Sequence, residues 1–272
     1  MEPEILVIGA TGKTGGRVAK RLTDRGIVYR AGTRRSEIPF DWEKPETWTA
    51  SLAGIKAAYV AYSPDLAVPS AHGVIAEFVR AAEAAGLKRM VLLSERNEAR
   101  AQACEDLVKA SSMEWTILQP SWFMQNFSEG GFLEDVLSGT VSAPDSGAKE
   151  PWVDLEDVAD VAIAALLEDG HAGQTYTITG SDLLTWAEAV ALIAEATGKD
   201  LTYKTVTPKE FEGTLIAAGF PEEDAEFVAT LIAEILDGKN ASTVDGLQRA
   251  LGREPRTFAQ FAADAHEKGC WP

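Results

Sequence analysis

Cysteine and histidine are scarce in this chain of 272 residues. Cys104 and Cys270 form no metal-ligand spacing, and His72, His171 and His266 are scattered, so neither a zinc site nor a disulfide framework is expected. Two unpaired thiols fit a reducing compartment, and a cytoplasmic location is the expectation. Long hydrophobic runs are missing too: none reaches the ~18 residues that crossing a bilayer requires, so no membrane partner is expected. The start, Met1-Glu2-Pro3-Glu4, has no basic segment and runs straight into a strand pattern, which argues against a secretory leader. Basic charge is outnumbered. With 25 Lys and Arg against 42 Asp and Glu, the formal net charge is −17, which argues against a phosphate-backbone partner such as nucleic acid. No internal repeat or low-complexity tract stands out.

What is present is the composition of a globular protein, 46% hydrophobic and 25% charged. Short apolar runs at 4–8, 28–33, 57–62, 89–94 and 115–118 alternate with helical patterns at 13–25, 70–85 and 97–110. This alternation predicts an α/β fold, a doubly wound parallel sheet with helices on both faces and the strand C-termini along one ligand-binding edge. After Pro120 the pattern changes. Residues 122–132 read as aromatic and irregular, 139–150 as a surface loop, 154–167 as a helix and 174–179 as a further strand. From Thr185 the chain reads as mainly helical, at 185–197, 208–218, 221–236 and 257–268. The expected organisation is a nucleotide-binding domain over residues 1–150. Residues 151–272 would hold its last segments interwoven with a smaller, mainly helical substrate lobe, with the substrate cleft between the two.

The run Ile5-Leu6-Val7-Ile8 enters Gly9-Ala10-Thr11-Gly12-Lys13-Thr14-Gly15-Gly16, and a helix follows. A pyrophosphate needs this order. Glycines let the backbone turn tightly and approach the phosphates, and the helix N-terminus supplies N–H groups and a positive dipole end. Gly9, Thr11, Gly12, Lys13, Thr14 and Gly15 are therefore the expected phosphate-binding residues. The next strand ends Thr33-Arg34-Arg35-Ser36, with no acid at its tip. A carboxylate there would take the ribose hydroxyl of NAD, whereas a guanidinium suits the 2′-phosphate of NADP, so NADP(H) is the expected cofactor through Arg34 and Arg35. Asp41, in Phe40-Asp41-Trp42, is placed near the adenine amino group. Tyr62, Ser63, Pro64 and Ser94, at two further strand tips, are expected to line the dinucleotide.

The spacing Gly9-x-x-Gly12-x-x-Gly15 resembles the turn of extended and atypical short-chain dehydrogenases/reductases. Trp115-Thr116-Ile117-Leu118-Gln119-Pro120-Ser121-Trp122-Phe123-Met124-Gln125-Asn126-Phe127 resembles the NmrA-like family of that group, as do Trp152-Val153-Asp154-Leu155-Glu156-Asp157-Val158-Ala159 and Gly252-Arg253-Glu254-Pro255-Arg256-Thr257-Phe258. Gln119 departs from the pattern, where arginine is common. The resemblance implies that the segment after Leu118 runs beside the nicotinamide, which makes Pro120 and Ser121 cofactor candidates and Trp122, Phe123 and Asn126 substrate candidates. Asp154 and Asp157 read as a helix cap and a structural acid.

Ordinary short-chain reductases carry a Tyr-x-x-x-Lys acid, and none of the five tyrosines lies between Ser94 and Trp115 where it belongs. Gln102 falls roughly where some relatives place Lys or His, and an amide does not titrate. The catalytic residue is therefore not assigned. Two readings follow. One is a reductase of a small acceptor, an iminium, quinone or dye-like cation, which needs no strong acid; NmrA-like relatives of the dye-reducing and ergot-alkaloid types imply it. The other is a non-catalytic NADP(H) sensor of the NmrA type. The sequence leaves open a protein partner or a homodimer.

Overall fold

The structure is a computed structural model that describes residues 2–272. In chain order its elements are β1 (Ile5–Ile8), α1 (Lys13–Asp24), β2 (Tyr29–Gly32), α2 (Trp48–Leu52), β3 (Ala57–Val60), α3 (Ala71–Ala84), β4 (Arg89–Leu93), α4 (Ala99–Lys109) and β5 (Glu114–Pro120). There follow α5 (Leu133–Ser138), β6 (Thr140–Ala143), α6 (Leu155–Leu167), β7 (Gln174–Ile178), α7 (Trp186–Thr197), β8 (Thr202–Thr205), α8 (Pro208–Ala217), α9 (Glu222–Ile235), α10 (Gly246–Leu251) and α11 (Phe258–Glu267). They form two compact units. The first comprises the chain up to Pro120 with Leu155–Ile178 and Asp245–Arg253; the second comprises Ser121–Asp154, Thr179–Val244 and Glu254–Pro272.

In the first unit the strands form one parallel six-stranded sheet in the order β2-β1-β3-β4-β5-β7. The expected doubly wound sheet is there. Its strands β1 and β3 and the middle of β4 are apolar on both faces because both are covered. Leu6, Ile8, Ala58, Val60, Met90, Leu92 and Ile117 share one core with Trp48, Leu52, Ile75, Phe78 and Cys104 of α2, α3 and α4. The alternate residues Val7, Tyr59, Val91 and Leu118 are buried as well, and α6 packs against β3, β4 and β5 with α1 and α10 beside it. In α1 the buried positions Thr14, Gly15, Val18, Ala19 and Leu22 recur at helical spacing and make one face. The strand order reverses between β1 and β3, and ligands of open α/β sheets bind outside the strand ends at such a point.

The second unit is mainly helical around an aromatic core in which Phe127, Trp152, Trp186 and Phe258 are fully buried. Each such side chain contributes about 1.5–3 kcal/mol when removed from water. Helices α7, α8 and α11 begin with capping boxes, Thr185 with Glu188, Thr207 with Glu210 and Thr257 with Gln260. Two expectations need correction here. The stretch 139–150 is not wholly a surface loop: β6 opens it and pairs in parallel with β8, which interrupts the helical tail. The physical reason is burial, since Val141 and Ala143 are withdrawn from solvent. The stretch after Pro120 is not shapeless either, because Met124–Phe127 forms a 3-10 turn whose Met124 and Phe127 join the core. Among the described residues no helix is long and apolar enough to cross a membrane.

Candidate functional site

The glycine turn after β1 is built by two close approaches. Gly9 has φ +76°, a conformation that L side chains rarely adopt. A Cβ on Gly15 would stand 2.2 Å from the Gly9 carbonyl oxygen, so only glycine lets α1 start against this turn. The Gly9 N–H donates to the Gly32 carbonyl at the end of β2 over 3.0 Å, which ties the turn to the neighbouring strand tip. Gly12 is the N-cap of α1 and offers no capping side chain, and the first turn holds no acid. That helix end keeps its positive partial charge for an anion. Thr11 and Gly12 are exposed, Lys13 half-buried and Thr14 buried.

At the tip of β2 the Thr33 and Ser36 hydroxyls lie 2.7 Å apart and close a short turn. Arg34 and Arg35 project from it, both exposed. Neither guanidinium has a hydrogen-bond or ion-pair partner among the described residues. That sets them apart from Arg17 and Arg21, which are held by Glu156, and by Asp160 in the case of Arg21. Asp41 is turned toward its own loop: its carboxylate accepts from the Glu43 N–H at 3.1 Å and lies 3.9 Å from Lys44 Nζ. Tyr62, just past β3, packs on Trp42 with ring centroids 5.0 Å apart, while Ser63 and Pro64 are exposed. Ser94 follows β4 and is buried. The structure thus brings the glycine turn, Arg34, Arg35, Tyr62, Ser63, Pro64, Ser94 and Pro120 to the C-terminal edge of one sheet.

In the second unit the Ser121 hydroxyl donates to the Pro151 carbonyl. Phe123 bridges in parallel to Val153. Trp122 is half-buried against Trp152 and Trp186, at centroid distances of 6.1 and 5.8 Å. Phe123 and Asn126 are also half-buried. Asp154 accepts from Gln125 Nε2 at 2.6 Å.

The family model described as NmrA-like matches residues 1–262. The chain belongs to the NmrA-like family. Festuclavine synthase I of Penicillium roqueforti is 30% identical to this NmrA-like chain over 295 residues, covering 98% of the chain and 99% of that protein. The NAD(P)H azoreductase of Xenophilus azovorans is 29% identical, covering 95% and 96%. Among solved structures, the triphenylmethane reductase of Citrobacter sp. complexed with NADP(H) superposes with a TM-score of 0.78 at 23% identity, covering 96% of the chain and 99% of that one, a likeness of fold.

The NmrA-like sheet edge also holds a group that sequence reasoning missed. Glu105 of α4 is fully buried, and its carboxylate accepts from the Ser94 hydroxyl at 2.6 Å, from Gln119 Nε2 at 2.7 Å and from Lys109 Nζ at 2.9 Å. Gln119 in turn accepts from the Thr177 hydroxyl at 2.9 Å. The departure from arginine at position 119 now has a physical account: an amide can donate to Glu105 and accept from Thr177 at once. An acid on the face that α4 buries, beside Ala101, Cys104 and Val108, was the available signal. Gln102 is exposed. Tyr59 and Tyr203 do not replace the missing acid. Burial holds the Tyr59 and Tyr203 phenols far above their ordinary range, and Tyr203 also donates to Asp145 over 2.6 Å.

Proposed function

We propose that this protein is an NADPH-dependent reductase that delivers hydride to a small conjugated or cationic acceptor: an iminium, a quinone or a dye-like cation. The observation that carries the reading is the pair of partnerless guanidinium groups, Arg34 and Arg35, on the same sheet edge as an uncapped, acid-free helix N-terminus. Both features are electropositive and shaped for phosphate. The fit to the dinucleotide is supported by Gly15, whose missing Cβ leaves room for the turn. Gly9, Thr11, Gly12, Lys13, Thr14 and Gly15 would hold the pyrophosphate, and Arg34 and Arg35 the 2′-phosphate. Asp41 would meet the adenine, and Tyr62, Ser63, Pro64, Ser94, Pro120 and Ser121 the remainder. When bound, NADPH supplies the hydride. Trp122, Phe123 and Asn126 would meet the acceptor, the two aromatics with faces that suit a flat or cationic molecule. Relatives named for azo-compound and festuclavine chemistry support turnover.

The absent Tyr-x-x-x-Lys favours a second reading, an NADP(H) sensor without turnover. One panel separates the two. Purified protein should oxidise NADPH with quinones, triarylmethane dyes or cyclic iminium compounds. Tight NADPH binding with silence across the panel gives the sensor.

A further inference from the structure

Within the second unit, the segment that carries Trp122, Phe123 and Asn126 is tied at three places. At its start the Val153 N–H donates to the Trp122 carbonyl at 2.8 Å, and the Met124 N–H donates to the Val153 carbonyl at 2.9 Å. In its middle Gln125 Nε2 donates to Asp154 over 2.6 Å. At its end the Trp271 indole N–H donates to the Phe127 carbonyl over 2.9 Å. This last donor stands 144 positions away in the chain, outside the residues 1–262 that the family model matches.

Phe127 closes the 3-10 turn, and the carbonyls that end a helix have no partner within it. Phe127 and Trp271 are both fully buried, so bulk water does not reach this carbonyl and a buried acceptor is costly to leave unpaired. Met124, Gln125 and Phe127 are buried, whereas Trp122, Phe123 and Asn126 keep part of their surface open. The ties hold the turn from its inward side. Resting on the reductase reading above, we propose that Trp271 is a positioning residue for the acceptor: its indole N–H fixes the end of the turn and so the spacing of Trp122, Phe123 and Asn126.

Trp271 is itself held firmly enough to act this way. Its ring meets Phe261 of α11 edge-on, with centroids 5.9 Å apart and planes at 86°. The Cys270 N–H donates to the Ala265 carbonyl at 3.0 Å, which fastens the tail to the end of α11. Lys199, just past α7, donates through Nζ to the Pro272 carbonyl. Helix α7 also carries Trp186, on which Trp122 packs at 5.8 Å. The tail is thus fastened at both α11 and α7, and it reaches the turn through one hydrogen bond. Without that bond the turn keeps its tie to Val153 at Trp122 but loses its hold at Phe127, so Asn126 drifts relative to Trp122. Contacts that orient a small acceptor do not survive displacements of about 1 Å.

The test uses purified full-length protein and two variants. Trp271→Phe keeps an aromatic ring and loses the N–H; Ile193→Val trims the same core on α7 and removes no hydrogen bond. With saturating NADPH and menadione or crystal violet as acceptor, Trp271→Phe should raise the acceptor KM about tenfold, the scale of one buried hydrogen bond. NADPH binding should stay as in wild type, and Ile193→Val should leave KM unchanged. A merely structural role would lower the active fraction, and with it the apparent kcat, in both variants and leave KM alone. An unchanged KM in Trp271→Phe, or a rise that Ile193→Val matches, would overturn the positioning role while leaving the reductase intact. A second readout needs neither a variant nor turnover. Native-state hydrogen exchange of the wild type along a urea series should show the peptide spanning 122–132 and the one containing Trp271 opening together, with one urea dependence. A turn that opens well before the tail would overturn the clamp. A wild type that turns over neither acceptor would overturn the reductase reading, and with it the role given to Trp271.

Discussion

The Arg253 guanidinium lies 2.8 Å from the Asp157 carboxylate, which is fully buried, and 2.6 Å from that of Asp160. Two family motifs far apart in sequence, one around Asp157 and one around Arg253, are joined by this pair inside the first unit. Both residues serve structure. Arg253→Ala should cost about 1–3 kcal/mol, because a buried acceptor loses its charged donor. Urea denaturation of both proteins checks this.

Glu156 sits between Arg17 and Arg21, each 2.8 Å away. Burial raises its carboxyl, but the hydrogen bonds and charges of Arg21 and Arg17 outweigh that and hold it below its ordinary value. The stability it contributes is present above the unfolded value of 4.5 and is lost as pH falls through the folded one. Glu156→Gln should melt earlier than wild type at pH 7, by the equivalent of at most about 1 kcal/mol because the pairs are part-exposed. The gap should narrow as the pH falls below 4.5. Calorimetric melts along an acid pH series measure it.

Arg34→Ala should weaken NADPH binding about tenfold or more and leave NADH nearly untouched. The expected loss is one charge-assisted hydrogen bond of about 1.5–3 kcal/mol. Isothermal titration with both nucleotides reads the ratio, and equal changes for the two would remove Arg34 from the 2′-phosphate site.

Gly15→Ala should abolish dinucleotide binding or soluble expression. The added methyl would stand 2.2 Å from the Gly9 carbonyl oxygen and 2.6 Å from its carbon, and backbone cannot yield as a flexible side chain does. Gly26→Ala is the contrast: no atom lies within 4 Å there, so its cost is confined to the backbone strain of φ +70°.

The sheet was legible because β1, β3 and β4 hold short apolar runs bounded by glycine or polar residues, and the helices between them carry a buried stripe. The pair β6 and β8 was not, because the inward side of Thr140–Ala143 holds only Val141 and Ala143 and Thr202–Thr205 is largely exposed. At the site, glycine spacing and charge pointed to Gly9, Gly15, Arg34 and Arg35 directly. Glu105 was hidden for a physical reason. A carboxylate in a string of letters reads as solvated, and only the fold reveals that Ser94 and Gln119 converge on it.

The chain passes between the two units after Pro120, Asp154, Ile178, Val244 and Arg253. No single cut releases either unit as a continuous piece. During synthesis the sheet unit stays incomplete until residue 253 has emerged, long after β1 to β5 are available to pair. A truncation that removes Asp245–Arg253 would therefore take a piece out of the unit that contains the glycine turn, although that turn lies within the first sixteen residues.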